Sequence, residues 1–290
     1  MLPAIFLKRL NVMPSASITQ LMCRAVLPLV MLLPAVAGAQ EKLTIGGAGT
    51  ALGTMRQLGD AYAAVLRTTT IAVLPSLGAL GGVHALRSGA VDVAVVTRAL
   101  SPAEAGSDTT AVEIGRVPFV FAVNVSNPVT DIRSAQLLDI YRLKQTTWPD
   151  GSRIRLVLRP PAVSDTIFLK DLSPAWKQAV EALGTRPGMV EVSTAQEAAG
   201  HVERSVHALT TSTLNLILTE RRAMKALRVD GIEPNAQTVM DGTYPYFKPV
   251  ILVVRRMPSS SVAGFVAYAR SKAGRAILMQ SGHVVPPGVG

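Results

Sequence analysis

Apolar and polar positions follow two rhythms along the chain. Leu43-Thr44-Ile45 reads as a short strand that turns out through Gly46-Gly47-Ala48-Gly49-Thr50. From Ala51 to Val65 the residues Leu52, Met55, Leu58, Tyr62 and Val65 recur every three or four positions, the spacing of one helix face. Thr70 to Leu74 is the next strand, and a second glycine-rich turn, Ser76 to Gly82, opens a helix over Val83 to Ser88. Val91 to Val96, apolar apart from Asp92, has the character of a strand covered on both faces. Strand, glycine turn, helix and strand in succession argue for a parallel α/β sheet.

The rhythm continues downstream. Val117 to Val125 is a buried strand broken by Ser126-Asn127-Pro128, Ser134 to Tyr141 a short helix, and Ile154 to Leu158 a strand that runs into the polar loop Arg159 to Thr166. Helices are expected over Ile167 to Leu172, Pro174 to Leu183 and Leu214 to Met224, a strand over Lys248 to Arg255, and an amphipathic helix pair over Ser261 to Ser281. No internal repeat is visible.

The first 40 residues differ from the rest. Lys8, Arg9 and Arg24 are their only charges, Ala25 to Val36 is apolar, and Ala37-Gly38-Ala39 precedes Gln40. A basic segment, a short apolar run and an A-x-A site describe a secretory signal peptide cleaved after Ala39. The apolar run is too short for a bilayer core of about 30 Å, and two prolines interrupt it. An uncleaved membrane anchor is the weaker alternative. Cleavage removes three of the 29 basic residues and none of the 19 acidic ones, leaving +7. It also removes Cys23, the only cysteine, which excludes disulfides, thiolate metal sites and a cysteine nucleophile from the mature chain. Roughly 250 residues remain, enough for two compact lobes or one large domain. The basic residues are scattered and the motifs of nucleic-acid binders are missing.

Three loops share one design. Gly46 to Leu52, Gly78 to Gly82 and Arg159 to Thr166 each follow a strand and open a helix. The first N–H groups of a helix lack internal partners and carry partial positive charge, so such loops bind oxyanions. Arg159 adds a fork of donors, and Ser164 and Thr166 add hydroxyls. A single glycine turn means little by itself, since most only pack tightly. His84, His201, His207 and His283 show no metal-ligand spacing, and no cofactor is expected.

Four stretches resemble the phosphate-binding periplasmic subunits of ATP-driven phosphate importers. They are Gly47-Ala48-Gly49-Thr50, then Gly78 to Leu86 with Gly89 to Asp92 and Thr97 to Leu100, then Trp148 to Gly151 through Arg159 and Ser164-Asp165-Thr166, and last Asp230 to Pro234 with Gly242 to Pro245 and Ser271 to Gly274. The resemblance implies a two-lobed α/β binding protein fold, each lobe a mixed sheet flanked by helices, with a ligand cleft between them. It places residues 40–123 and 248–290 in a discontinuous first lobe and 124–247 in the second. Carried over by position, Thr50, Ala51 and Leu52 donate from the first loop, Gly78 and Ala79 line the second, and Arg159, Ser164 and Thr166 form the third. Ala79 stands where the family usually has serine. Thr97 stands where some members have aspartate, although others carry a Ser-Arg pair resembling Thr97-Arg98.

Two departures bear on the ligand. The spacing from Arg159 to Ser164 is one residue longer than usual, and Asp165 replaces a glycine. Phosphate near neutral pH carries a proton that a cleft carboxylate accepts, whereas sulfate has none to give. Asp165 is therefore either that acceptor or a helix N-cap, in which case sulfate, molybdate or tungstate becomes admissible. The expected role is periplasmic capture of an inorganic oxyanion, phosphate foremost, for a membrane permease, by a monomer without catalysis or nucleic acid. A sensory or surface-attachment role on the same fold is the alternative, and a secreted phosphate-ester hydrolase a weaker one.

Overall fold

The computed structural model describes residues 41–184 and 189–286. The expected signal segment lies outside the described residues. The chain begins β1 (Glu41–Gly47), a 3-10 turn (Gly49–Ala51), α1 (Leu52–Leu66), β2 (Thr69–Val73), α2 (Gly78–Arg87), β3 (Val93–Val96), α3 (Pro102–Ala105) and the long β4 (Thr109–Asn124). It continues through β5 (Asp131–Ile132), α4 (Ser134–Tyr141), β6 (Arg155–Leu158), α5 (Ser164–Asp171), α6 (Pro174–Gly184) and β7 (Val190–Glu191). Next come α7 (Ala195–Glu203), β8 (Ala208–Thr213), α8 (Leu214–Thr219), β9 (Met224–Ala226), β10 (Arg228–Val229) and α9 (Ala236–Met240). β11 (Phe247–Arg255), α10 (Ser260–Arg270) and α11 (Lys272–Gln280) follow.

One sheet has the order β2-β1-β3-β11-β4-β8-β6-β7, with β9 also beside β4. The β1–β2, β1–β3, β6–β8 and β6–β7 pairs are parallel, as the strand-helix-strand pattern implies; β11 and β4 run antiparallel to their neighbours and make the sheet mixed. The apolar interior divides along β4. Ile114 and Val117 pack with Leu43, Ile45, Met55 and Phe265 around β1, β3 and β11. Phe119, Phe121 and Val123 pack with Trp148, Trp176 and Leu209 around the middle of the chain. This is the two-lobed α/β architecture, with its helices laid on both faces.

Local chemistry sets the loops that face the site. Gly47 has φ 138°, and a Cβ there would lie 2.1 Å from the Val95 carbonyl oxygen, so only glycine lets β1 turn beside β3. A Cβ on Gly82 would lie 2.7 Å from the Gly47 Cα. These two glycines exist for close packing of α2 on β1, the plainer of the two reasons a glycine-rich turn can have.

Several local expectations change. The stretch expected to be a glycine-rich turn up to Gly82 is itself helical from Gly78, so α2 starts there rather than at Val83. α5 starts at Ser164 rather than Ile167, so Ser164, Asp165 and Thr166 form its first turn. The helix expected to reach Met224 stops at Thr219; Arg221 has φ 50°, and β9 begins at Met224. α7 and β8 carry no signal in the apolar pattern. β8 reads Ala-Leu-Thr-Thr-Ser-Thr, yet all six residues are buried, its hydroxyls serving inside the molecule.

A cation-rich candidate site at the first turn of α5

Ser164, Asp165 and Thr166 are the first three residues of α5, whose N-cap, Val163, offers no side-chain bond. Asp165 therefore sits inside the first turn and does not cap it. A negative side chain in that turn suits the helix dipole, and the free N–H groups beside it suit an anion. Thr166 turns inward, and its Oγ1 donates to the Arg159 carbonyl oxygen at 3.0 Å, tying the loop to the helix it opens.

Asp165 is almost wholly buried, with Lys248 and Arg159 against it. The Lys248 Nζ lies 2.5 Å from Asp165 Oδ1, and Arg159 Nη1 lies 3.8 Å from Asp165 Oδ2. Arg159 is held from behind, its Nε donating to the Val192 carbonyl at 3.1 Å and its Nη2 to that of Ser193 at 3.0 Å. Its Nη1 and the Asp165 Oδ2, both buried, make no hydrogen bond. Burial pushes the Asp165 carboxyl upward, but Lys248 first and then Arg159 outweigh it and hold the carboxyl below its ordinary range. Burial likewise lowers the Lys248 ammonium and the Arg159 guanidinium, with Asp165 opposing the shift in both. Two cations around one carboxylate leave this cluster with a net charge of +1.

Hydroxyls extend the cluster toward β3 and β11. Ser164 Oγ accepts from Lys248 Nζ at 3.0 Å and lies 3.1 Å from Thr97 Oγ1 at the end of β3. Thr97, Arg159, Ser164, Asp165 and Thr166 are thus brought together, and Lys248 on β11 joins them. Arg98 takes no part through its own bonds. Its guanidinium is gripped by Glu104, at 2.8 Å and 2.5 Å, and also donates to the Ala99 carbonyl. That grip holds the Glu104 carboxyl down at about 2.

The first loop meets α7 and α8 through its backbone. Asn215 on α8 donates to the Thr50 carbonyl at 2.8 Å and to Thr54 Oγ1 at 3.1 Å, and Gln196 on α7 donates to the Gly49 carbonyl at 3.0 Å. Thr50, Ala51 and Leu52 are all buried there, and Thr50 Oγ1 has no hydrogen-bond partner. The second loop is less involved. Gly78 begins α2 at φ 70°, and Ala79 packs with Leu74 and Ala85 against Val83 and Leu86.

Sequence reasoning passed over Lys248, Gln196 and Asn215. Lys248 opens an otherwise apolar strand, and only that lone charge at the head of a covered strand hinted at it. A cavity of about 270 Å³ adjoins the cluster, lined by Arg159, Thr166, Lys170 and Thr211 on a wall that is otherwise largely apolar. Among the described residues no cluster of three or more His, Cys, Asp or Glu could hold a metal ion. No described helix is long and apolar enough to cross a membrane.

The two-lobed α/β architecture is that of the binding-protein folds. The PBP superfamily domain matches residues 34–273, and the chain belongs to that superfamily. It is 30% identical over 107 residues to the phosphate-binding protein PstS 2 of Streptococcus pneumoniae, which is 37% of this chain and 36% of that protein. The chain thus matches about a third of the length of that curated relative. Among solved structures it is similar to a protein from Clostridium perfringens assigned as a phosphate ABC transporter substrate-binding protein, with bound phosphate. The TM-score there is 0.73 at 18% identity, over 85% of this chain and 100% of the other. An ABC-type phosphate transport receptor from Vibrio cholerae gives a TM-score of 0.61 at 20% identity, over 84% of this chain and 100% of the other. At these identities the likeness is one of fold.

Proposed function

We propose that the protein captures an inorganic oxyanion, phosphate foremost, in the cleft at the first turn of α5 and delivers it to the permease of an ATP-driven importer. In this reading it works outside the cytoplasm as a monomer, without a cofactor, a nucleic-acid partner or catalysis. The lobes are residues 40–123 with 248–290, and 124–247. Val117 and Phe119 pack in different cores on one strand, which supports two lobes and puts the change of core several residues before 124.

One observation carries the reading. Arg159 Nη1 is a buried donor, Asp165 Oδ2 a buried acceptor, and both are without hydrogen bonds at 3.8 Å from each other in a cluster of charge +1. A buried polar atom without a partner costs about 1–3 kcal/mol. An oxyanion bearing one proton removes both costs, accepting from Arg159 through one oxygen and donating to Asp165 through another. Charge-assisted bonds of this kind are about twice as strong as neutral ones, more so in a dry cleft. The phosphate-binding relative and the phosphate-bound neighbour agree with this chemistry.

The test is calorimetric titration of the purified, anion-stripped protein with phosphate, sulfate, molybdate and tungstate. One-to-one phosphate binding, lost on Arg159→Ala, is expected. Silence toward all four anions would remove the oxyanion reading and favour a sensory or attachment role on this fold.

A further inference from the structure

Two cations around one carboxylate is one more than a structural ion pair needs. Arg159 already stands 3.8 Å from Asp165 and is anchored by two backbone carbonyls, so it alone could balance the carboxylate. Lys248 is nevertheless wholly buried beside them. Its ammonium lies 5.6 Å from the centroid of the Phe119 ring and spends two of three N–H donors, on Ser164 Oγ and Asp165 Oδ1. Among the described residues no acceptor takes the third. Glu104 pairs with Arg98, although the Arg98 charge still helps to lower the Lys248 ammonium. A buried pair is weak evidence for stability, and an uncompensated buried charge is expensive unless an anion meets it.

We infer that Lys248 is a direct ligand of the bound anion, the second cation of the site, with its free N–H given to an anion oxygen. The inference rests on the oxyanion reading above and names the residue that completes it. Lys248 reaches the cleft from β11, whereas Arg159 and Ser164 come from the other lobe, so the anion is held from both sides by charge. The substrate class follows: a compact tetrahedral oxyanion with at least three oxygens to share among Arg159, Lys248 and the α5 turn. A planar carboxylate, with two, leaves one of those three partners unmet.

The decisive comparison is phosphate titration of Asp165→Asn and of the double variant Lys248→Met/Asp165→Asn. The double variant carries the +1 of the wild-type cluster and Asp165→Asn carries +2, so both are titrated at high salt, where the unit of long-range charge between them is screened and the direct contact remains. Removing both members of a buried pair is tolerated far better than removing one. We expect the double variant to bind phosphate at least tenfold more weakly than Asp165→Asn. Equal affinity overturns the assignment and leaves Lys248 as a counterion of Asp165 alone. If Asp165→Asn is unfolded at the assay temperature, the wild-type protein supplies the answer through the ¹⁵N resonance of the Lys248 ammonium, identified by its loss in Lys248→Met. A shift on saturation with phosphate supports the inference, and an unmoved resonance overturns it. A wild-type protein that binds no oxyanion sinks the proposed function itself, and this assignment with it; the two failures are therefore distinct.

Discussion

Replacing Asp165 by Asn removes the one negative charge between Lys248 and Arg159, whose side chains are 1% and 8% exposed. Breaking a buried pair on one side costs about 3–5 kcal/mol, because the remaining charge is left without compensation. The structure sets a ceiling on that loss. The Lys248 ammonium has an ordinary pKa of 10.5 and can shed its proton when the cost of staying charged exceeds the cost of neutralisation. At pH 7 that escape costs about 5 kcal/mol, from 1.36 kcal/mol per pKa unit. For a chain of this size a loss of 3–5 kcal/mol lowers the melting temperature by roughly 10 °C. The assay is thermal unfolding followed by circular dichroism at pH 7 and pH 9. The variant is expected to melt far below wild type at pH 7 and to recover part of the gap at pH 9, where a neutral lysine is cheaper. Added phosphate should raise its melting point more than that of wild type, because the anion supplies the missing negative charge. Melting within 2 °C of wild type at pH 7 would refute the claim that Asp165 holds two buried cations in place.

His283 is wholly buried with its pKa pushed down to about 4 by desolvation, so it folds neutral. The unfolded chain takes up a proton as pH falls through 6.5 while the folded one does not, so stability is lost between pH 6.5 and 4, by about 2.5 kcal/mol at pH 4.5. Urea unfolding should show this slope, and His283→Gln should flatten it; an unchanged slope points to other groups. Gly53 lies on α1, where a Cβ would stand 2.1 Å from Thr219 Oγ1 on α8. Gly53→Ala should wedge the two lobes apart and weaken phosphate binding tenfold or more without touching the anion's own partners, as titration against wild type would show. Gly47→Ala collides with the Val95 backbone and adopts a φ reserved for glycine, so a loss of more than about 3 kcal/mol is expected, read as failure to accumulate folded protein.

Much of the frame was legible because burial leaves a periodic trace. β1, α1, β3 and α4 follow the spacing of their apolar residues, and α4 falls on the expected residues, Ser134–Tyr141. The third loop announced itself through an arginine and hydroxyls just ahead of a helix. What stayed hidden is buried but polar. β8 hides because Thr210, Thr211, Ser212 and Thr213 look like a loop until the fold covers them. Lys248, Asn215 and Gln196 hide because each meets partners more than 80 residues away in sequence, and no local pattern records such a pairing. Asp165 drew notice as a departure from a family pattern, but its two cations could be placed only by the fold. Arg98 shows the converse: its sequence neighbour Thr97 faces Ser164, while Glu104, six residues on, captures the guanidinium.

β4 runs unbroken for 16 residues, about 50 Å of extended chain. Its first part pairs with β11 through Val117 and Pro118, and its last part with β8 from Phe119 to Val123. Each lobe thus borrows half of one strand, and neither owns a complete sheet. A core that melts frees one end of a strand on which the other core is built, so a single cooperative transition is expected in calorimetry. The same sharing makes a half-molecule an incomplete folding unit: a cut at residue 124 leaves Phe119, Phe121 and Val123 on one piece and the core they fill on the other.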